Sequence, residues 1–403
     1  MDVILAGNSL YRNIYGFFAG LLPDGLSWLA FVITGLILAF LFVNALMIFV
    51  AGVVYLERRV LGRFQSRLGP NRVGPFGALQ PIADLLKMVF KEDVVPAAAD
   101  KLVFVAAPIV MVVPALALMA VIPYGKNTFV TNLNVGILFA IAITSVSSLG
   151  IFMAGWGSAN RFAMLGAMRG VAMLVSYEVP MILSLVGVLL LGGTLSLVGV
   201  VDAQRIPFIL LQPLGFLVFL IAATAEMNRA PFDIVEADSE IVAGYHTEYS
   251  GVKWGMFQLA EYGAMIVSAA VLVTVFLSGW QNPFVPQGWP QVLPSQLWFL
   301  LKLGFVLFLL IWVRATIPRL RIDQIMGFAW KILFPLALLN LVVTAVEVQL
   351  VPDPNAWQLW VLVAINLAVA VGAVVGFGAA FGRRRTNPTA SVTLVSAQAE
   401  VAR

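Results

Sequence analysis

The chain has 403 residues, of which 61% are hydrophobic and only 11% are charged, and its formal net charge is +4. A soluble domain is about a quarter charged, so the composition excludes an ordinary soluble enzyme and predicts an all-α, polytopic membrane protein. The chain has no cysteine and a single histidine. This excludes Fe–S clusters, thiolate zinc sites, thiol catalysis and bis-histidine haem ligation within the chain.

Nine stretches are long and apolar enough to cross a bilayer, which takes about 20 residues each. They lie near residues 26–56, 102–122, 135–156, 162–191, 209–225, 254–277, 297–313, 329–350 and 357–381. The fourth is long enough to tilt, and the fifth is the shortest. The sequence therefore predicts about nine transmembrane helices.

The loop after the first span contains a shorter helical pattern. Apolar side chains recur at helical spacing through residues 79–91, whereas Asp84, Lys87 and Lys91 lie off that face. The segment is too short to span a bilayer. It predicts one short amphipathic helix that lies at the membrane surface or under a partner.

Lysine and arginine are concentrated in alternate loops, and the opposite set of loops carries only Arg12, Lys126 and Arg205. The positive-inside rule therefore places the N-terminus outside and the C-terminus in the cytoplasm. The expected organisation is an outside N-terminal segment (1–25), an eight-span membrane domain (26–350), an additional ninth span (351–381) and a disordered cytoplasmic tail (382–403).

An acidic stretch, residues 226–248, follows the fifth span on the expected cytoplasmic side and holds six of the chain's twenty acids. Apolar residues such as Phe232, Ile234 and Val235 interleave with the acids and favour burial. Two ionised carboxylates about 5 Å apart repel by about 3 kcal/mol at an effective dielectric of about 20. This repulsion is enough to raise the pKa of one of them by about two. A buried stretch would hold exchangeable protons, as a proton relay or a proton-coupled switch requires.

A few ionisable residues lie within the spans, where a charge indicates a function by default. They are Arg169, Glu178, Glu261, Lys302 and Glu347. Lys302 and Glu347 lie near the outer ends of their spans, so snorkelling toward the interface is the simpler interpretation for both. For Arg169, a structural ion pair with a carboxylate remains an alternative.

A cation site is the competing interpretation of the acidic stretch. Asp233, Glu236, Asp238, Glu240 and His246 offer suitable atoms, but EF-hand spacing and paired histidine motifs are missing. The sequence therefore predicts no metal site, and it predicts that His246 is an ordinary polar loop residue.

Three loop segments carry a resemblance to a known family. They are E-R-R-V-L-G (57–62) with G-P-N-R-V-G-P (69–75) and L-Q-P-I-A-D (79–84); A-E-M-N-R-A-P-F-D (225–233) with E-A-D-S-E-I-V-A-G (236–244) and E-Y-S (248–250); and R-A-T-I-P-R-L-R-I-D-Q (314–324). S-Y-E-V (176–179) and A-E-Y (260–262) add to them. The chain resembles the H-subunit family of proton-pumping NADH:quinone oxidoreductase, respiratory complex I. It departs at Asp238, where glutamate is common, and at His246, where an amide is common.

The resemblance implies a subunit without a redox centre that anchors the peripheral redox arm. With two subunits of that arm it would form the chamber that admits the quinone, near the first span and the surface helix. The implied chamber residues are Glu57, Arg58, Arg59, Arg63, Phe64, Arg67, Asn71, Arg72, Gln80, Asp84, Phe232 and Arg314.

The resemblance also implies a proton relay from the chamber toward antiporter-like subunits. Its implied members are Glu178, Glu226, Asp233, Glu236, Asp238, Glu240, Glu248, Glu261 and Arg169. NADH, FMN and Fe–S clusters would belong to partner subunits, and quinone would be the substrate. Small membrane subunits and lipids are further expected partners, nucleic acid is not, and the expected location is a bacterial-type plasma membrane.

Two alternatives remain open. One is the anchor subunit of a related membrane-bound hydrogenase or F420-linked complex. The other is a stand-alone proton-coupled transporter, which would need paired interruptions in its spans, and the apolar stretches show no clear pair.

Overall fold

The computed structural model describes residues 9–21, 23, 27–126, 128–235, 242–282, 293–352 and 354–382. Over these residues the chain forms long helices joined by short connections, which confirms the all-α prediction. The helices are α1 (Ser9–Leu21), α2 (Ser27–Phe64), α3 (Gln80–Phe90), α4 (Lys101–Met119), α5 (Gly136–Gly157), α6 (Arg161–Gly192), α7 (Leu197–Ala203), α8 (Phe208–Leu211), α9 (Pro213–Glu226), α10 (Gly251–Phe276), α11 (Ser295–Thr316), α12 (Ile322–Phe328), α13 (Phe334–Leu350) and α14 (Ala356–Gly382). The predicted tail lies outside the described residues from position 383 onward.

Among the described residues, eight helices are long and apolar enough to cross a membrane, with α12 and α13 forming one of them. The predicted fifth span is divided instead. α8 ends at Leu211, Gln212 adopts φ −133° and ψ 62°, and α9 begins at Pro213. Proline lacks an N–H and fits the first helical turn, which explains why the helix restarts there. The 14 residues of α9 rise only about 21 Å.

The loops fall at two ends of the bundle. At one end, Asp100 N–H donates to the Gly157 carbonyl at 3.1 Å, and Leu320 N–H donates to the Pro231 carbonyl at 3.1 Å. This is called the basic end, because the arginine-rich loop after α2 lies there. At the opposite end, Lys126 N–H donates to Ser295 Oγ at 3.1 Å.

Helices α6 and α10 form the centre of the bundle. α6 packs against α5, α9 and α13, whereas α10 packs against α4 and α11. Tyr177 on α6 and Phe257 on α10 are among the largest fully buried side chains. These two central helices carry two predicted relay carboxylates, Glu178 and Glu261.

A π-helical turn, Ala329–Leu333, joins α12 to α13. Tyr177 Oη donates to the Ile325 carbonyl at 3.0 Å. Trp330 Nε1 donates to Ser176 Oγ at 3.2 Å. A π-turn inserts an extra residue into a helix, and here that segment meets the part of α6 beside Glu178.

The surface helix predicted in the first loop is confirmed as α3, none of whose residues is buried. Its apolar face remains open, and Phe90 is 85% exposed. The turn before it requires glycine at Gly77, where φ is 80° and a Cβ would lie 2.4 Å from the Pro70 backbone. Tyr55 Oη on α2 donates to the Phe76 carbonyl at 2.8 Å, and this hydrogen bond holds the turn against α2.

Lys302 on α11 is held by backbone carbonyls at the end of the bundle opposite the basic end. Lys302 Nζ donates to the carbonyls of Leu277, Gly279 and Gln281 at 2.5, 2.9 and 2.7 Å. These carbonyls follow the C-terminus of α10, where a cation is favoured by the helix dipole. The lysine therefore caps α10.

The expected N-terminal segment contains the helix α1. Tyr11 on α1 contacts the ring of Phe31 on α2 with centroids 6.2 Å apart. Aromatic packing therefore holds α1 against α2.

Candidate functional site

A cavity of about 260 Å³ lies between α2, α3 and the first turns of α10 at the basic end. Its walls are mainly apolar and include Val50, Val54 and Tyr262. Two predicted chamber residues, Arg58 and Asp84, line it and form an ion pair across α2 and α3. A small number of polar groups in a mainly apolar cavity is typical of a ligand site.

Asp84 contacts two other predicted chamber residues. It pairs with Arg58, and its Oδ1 accepts from Gln80 Nε2 at 3.0 Å. The pair with Arg58 joins α3 to the end of α2, whereas the bond from Gln80 lies within α3. The structure therefore brings three chamber residues together from two segments of the sequence.

The other basic residues of the first loop lie away from this cavity. Arg59 Nη2 donates to the Phe76 carbonyl at 3.0 Å, and so braces the turn before α3. Arg67 Nε donates to Gln65 Oε1 at 2.6 Å. The remaining predicted members are exposed at the basic end: Arg63, Phe64, Asn71 and Arg72. Within this chain they form a surface rather than a cavity wall.

A buried ionic cluster lies beside the cavity. Glu57 is 2% exposed and accepts from Arg229 Nη1 at 2.8 and 3.1 Å. Arg314 also pairs with Glu57, and Arg229 Nε pairs with Glu261. The cluster, here named the Arg229 bridge, consists of Glu57, Arg229, Glu261 and Arg314. It holds two cations and two anions, so charges that would be costly alone compensate one another.

Arg229 is the centre of this cluster. Its guanidinium also lies over the Tyr262 ring, 4.1 Å from the centroid. Burial opposes the positive charge, but Glu261 and Glu57 outweigh that effect and raise the pKa of Arg229 above its ordinary value. Arg229 therefore stays charged at physiological pH.

The segment after Arg229 folds back into the bundle. Phe232 is buried, and its ring lies 5.1 Å from that of Tyr177 on α6. Ile234 and Val235 are also buried, as predicted from the apolar residues of the acidic stretch. Phe232 therefore packs on α6, whereas it was expected to line the quinone chamber. Val242, another apolar residue of the acidic stretch, is exposed.

Glu226 and Glu261 line one enclosed cavity of about 40 Å³ between α4, α5, α9 and α10. The hydroxyl-bearing residues Thr144, Ser147 and Ser268 also line it. A buried water needs about 10–15 Å³ of such volume and two to four polar partners. The cavity therefore has room and polar groups for about three waters between the two carboxylates.

Glu178 lies beside this cavity. Ser145 Oγ on α5 donates to Glu178, and Thr144, the residue before Ser145, lines the cavity together with Glu226 and Glu261. The three carboxylates of α6, α9 and α10 thus form one neighbourhood, as the relay prediction requires.

The remaining predicted relay residues are less closely grouped. Glu248 Oε1 accepts from Asn160 Nδ2 at 2.6 Å, which ties it to the start of α6. Arg169 and Asp233 are half-buried. Three residues that were also considered for a cation site lie outside the described part of the chain: Glu236, Asp238 and Glu240.

His246 is buried, and its ring meets that of Tyr245 edge-on with centroids 4.9 Å apart. The loop prediction holds for its backbone, which forms a 3₁₀ turn (Gly244–His246). The turn is buried because Gly166 on α6 lets the Gly244 backbone approach closely.

Arg229 was not predicted as a site residue, although it stands inside the most acidic stretch. Glu57 is 172 residues away in sequence, so no local spacing indicates their contact. A lone arginine among carboxylates in a membrane protein was the available signal.

Comparison with known proteins adds an independent finding. The family model described as NADH dehydrogenase matches residues 37–345. The chain is 53% identical over 324 residues to the H-type subunit of NADH-quinone oxidoreductase from Dehalococcoides mccartyi (strain CBDB1), covering 80% of this chain and 89% of that protein. It is 49% identical over 300 residues to the corresponding protein of Geobacillus kaustophilus, covering 74% and 89%. It is 46% identical over 333 residues to that of Bacillus cereus (strain B4264), covering 82% and 98%.

Proposed function

Since this chain belongs to the NADH dehydrogenase family, we propose that it is the H-type membrane subunit of a proton-pumping NADH:quinone oxidoreductase. In this role it contributes one wall of the quinone-access chamber and couples quinone reduction to proton translocation through its carboxylates. The chain itself holds no redox centre. NADH, FMN and Fe–S clusters belong to partner subunits, and quinone is the substrate.

The observation that carries the proposal is an unbroken path of contacts from the cavity to the carboxylates. Tyr262 lines the cavity beside α3, and Arg229 lies over its ring. Arg229 pairs with Glu261, which lines the enclosed cavity together with Glu226. A charge placed in the first cavity is thus separated from the carboxylates by one aromatic ring and one guanidinium.

The expected size of the coupling follows from Coulomb's law. A unit charge about 10 Å from an ionised carboxylate changes the energy of that carboxylate by about 1.7 kcal/mol at an effective dielectric of about 20. This energy changes the pKa of the carboxylate by slightly more than one. Reduction of a quinone headgroup or its protonation changes charge by such an amount. The change would alter the proton occupancy of Glu261 and Glu226, and then of Glu178.

The cavity of about 260 Å³ is slightly smaller than ordinary small-molecule sites, which span about 300–1,000 Å³. This supports a chamber whose other walls come from partners. The exposed basic residues of the first loop and the open apolar face of α3 offer a surface for the two peripheral-arm subunits. Small membrane subunits and antiporter-like subunits would cover other helices.

The proposed location is a bacterial-type plasma membrane, with the basic end facing the cytoplasm. The arginine-rich loop after α2 supports this orientation through the positive-inside rule. The N-terminus would lie outside and the C-terminus in the cytoplasm.

A photoreactive quinone analogue tests the chamber in the assembled complex. We expect labelling of peptides from α2, α3 and the first turns of α10, and competition by excess quinone. Val54→Trp would fill the cavity, because Val54 lines it. We expect this variant to lose most of the labelling and to raise KM for quinone by about tenfold or more.

Val113→Trp is the matched control, because Val113 is exposed on α4 away from this cavity. It should keep wild-type labelling and KM. Equal labelling and equal kinetics in Val54→Trp and Val113→Trp would contradict a chamber at this position.

A further inference from the structure

Asn228 is a polar lining residue of the enclosed cavity between α4, α5, α9 and α10, together with Glu226 and Glu261. Side chains two residues apart on a helix do not face the same side, so Asn228 and Glu226 would point apart if α9 continued. Asn228 instead follows the end of α9 and has a φ of 52°, in the left-handed region. This turn allows both side chains to reach one cavity.

The side-chain oxygen of Asn228 is buried, and among the described residues it has no hydrogen-bond partner. Leaving a buried acceptor unpaired costs about 1–3 kcal/mol. The backbone conformation does not require an asparagine here, because glycine adopts left-handed φ values without strain and is the commonest residue after a helix end. The asparagine therefore adds an acceptor whose donor has to come from the cavity.

Other polar groups around the cavity also accept hydrogen bonds. Thr144 Oγ1 donates to the Ile141 carbonyl at 2.9 Å, and Ser147 Oγ donates to the Thr144 carbonyl at 2.7 Å. The hydrogens of both hydroxyls are used within α5, whereas their oxygen lone pairs stay available. The carboxylates of Glu226 and Glu261 are acceptors when ionised. Such a lining requires an occupant that donates hydrogen bonds.

Water is the donor that fits this cavity. The volume of about 40 Å³ holds about three waters at about 10–15 Å³ each, and each water offers two hydrogens and accepts in return. A metal ion is disfavoured, because the guanidinium of Arg229 that pairs with Glu261 holds a fixed positive charge beside the cavity.

We propose that Asn228 positions a water molecule for proton transfer between Glu261 and Glu226, an inference that rests on the proposed function and deepens it. The water donates one hydrogen to Asn228 Oδ1 and the other to the ionised carboxylate of Glu226, while its oxygen accepts from the protonated carboxyl of Glu261.

The transfer conserves the water. The O–H bond of Glu261 breaks as a new O–H bond forms on the water, and the O–H bond of the water toward Glu226 breaks as Glu226 gains its proton. The hydrogen that is bonded to Asn228 Oδ1 stays on the water. One proton has then moved from one carboxylate to the other.

The first test is an electron cryomicroscopy map of the assembled complex, at a resolution that shows ordered water elsewhere in its interior. We expect density for a water about 2.7–3.2 Å from Asn228 Oδ1, on the side of the cavity. A wild-type map without this density would overturn the proposal, even if every variant of Asn228 failed to assemble.

The second test measures proton translocation and electron transfer in proteoliposomes. Asn228→Leu keeps the approximate size of the side chain but removes the acceptor. We expect its proton translocation to fall by about fivefold and its ratio of protons to electrons to fall below that of the wild type. A purely structural role of Asn228 would lower stability and turnover but leave this ratio unchanged.

Asn228→Gly is the matched variant, because glycine is free of strain at this φ and leaves room for a further water in place of Oδ1. It should keep most of the wild-type ratio of protons to electrons. Glu92→Gln, which changes an exposed carboxylate at the basic end, should match the wild type. Wild-type pumping in Asn228→Leu would overturn the proposal, and so would equal losses in Asn228→Leu and Asn228→Gly.

Glu226→Gln, measured in the same preparation, separates this inference from the proposed function. Wild-type pumping in Glu226→Gln would overturn the relay itself. A loss of pumping in Glu226→Gln together with wild-type pumping in Asn228→Leu would overturn only the role of Asn228.

Discussion

At the scale of single residues, Arg229 is the side chain on which the proposed coupling depends most. Its guanidinium offers donors in a rigid plane, so one edge meets Glu57, another meets Glu261 and one face lies on Tyr262. Lysine presents a point charge and cannot make these three contacts together. The coupling therefore depends on the identity of this residue and not only on its charge.

We predict that Arg229→Met destabilises the assembled complex by about 3–5 kcal/mol, because it removes one side of a buried ionic cluster. Glu57 would keep its contact with Arg314, so the main loss falls on Glu261. The measurement is thermal unfolding of the purified complex together with the yield of assembly.

Two further variants make this prediction specific. Arg229→Met combined with Glu261→Gln should recover part of the lost stability, whereas combination with Glu57→Gln should recover less. Unchanged stability in Arg229→Met, or equal recovery by both second substitutions, would show that the bridge does not work as described.

Single-residue roles were also where the sequence was least informative. The acids of residues 226–248 were selected because their density is visible in the chain. The contact of Arg229 with Glu57 joins α2 to the loop after α9, and the contact of Ser145 with Glu178 joins α5 to α6. Such pairs depend on helix packing, which no local spacing specifies.

At the scale of secondary-structure elements, hydropathy predicted most helices because a bilayer requires about 20 apolar residues per crossing. The break between α8 and α9 was missed, because Gln212 is one polar residue in an apolar run. Gln212 Nε2 donates to Thr344 Oγ1 at 2.8 Å, so a neighbouring helix supplies the partner that the interruption needs. This is a neutral polar contact, unlike the ion or substrate sites at broken transporter helices.

The packing of α6 on the 3₁₀ turn Gly244–His246 yields a second prediction. A Cβ on Gly166 would lie 2.8 Å from Gly244 Cα and 2.9 Å from Tyr245 N. Gly166→Ala must therefore push the turn away from α6, with a cost of about 1–3 kcal/mol. Because Glu248 follows this turn and is held by Asn160, we also expect lower NADH:quinone turnover.

Gly372→Ala on α14 is the control for this substitution, since a Cβ there would meet nothing within 4 Å. It should change stability by less than about 0.5 kcal/mol. If the two variants have the same thermal stability and the same turnover, the close packing of α6 on the turn does not contribute to stability or function.

At the scale of the whole molecule, the helices bring the chamber residues and the carboxylates to adjoining cavities. The sequence predicted the membrane class, the surface helix α3 and the burial of Phe232, Ile234 and Val235. The family resemblance implied that the arginines of the first loop line or brace the chamber, and in this chain Arg58 lines the cavity whereas Arg59 braces the turn before α3. Arginines in a loop indicate on which side of the membrane the loop lies. They do not indicate which of them lines a binding site.

In the proposed mechanism, quinone reduction is coupled to proton movement through Glu226 and its neighbours. Glu226→Gln keeps the shape of the side chain but cannot exchange a proton. Its NADH:quinone turnover and its ratio of protons to electrons should be measured side by side in proteoliposomes, with Glu92→Gln as the control.

We predict that proton translocation of Glu226→Gln falls by about tenfold or more and that its ratio of protons to electrons falls below that of the wild type, while Glu92→Gln matches the wild type in both. A decrease in electron transfer with an unchanged proton-to-electron ratio would restrict Glu226 to tuning the chamber. Wild-type turnover together with wild-type pumping in Glu226→Gln would contradict the proposed relay.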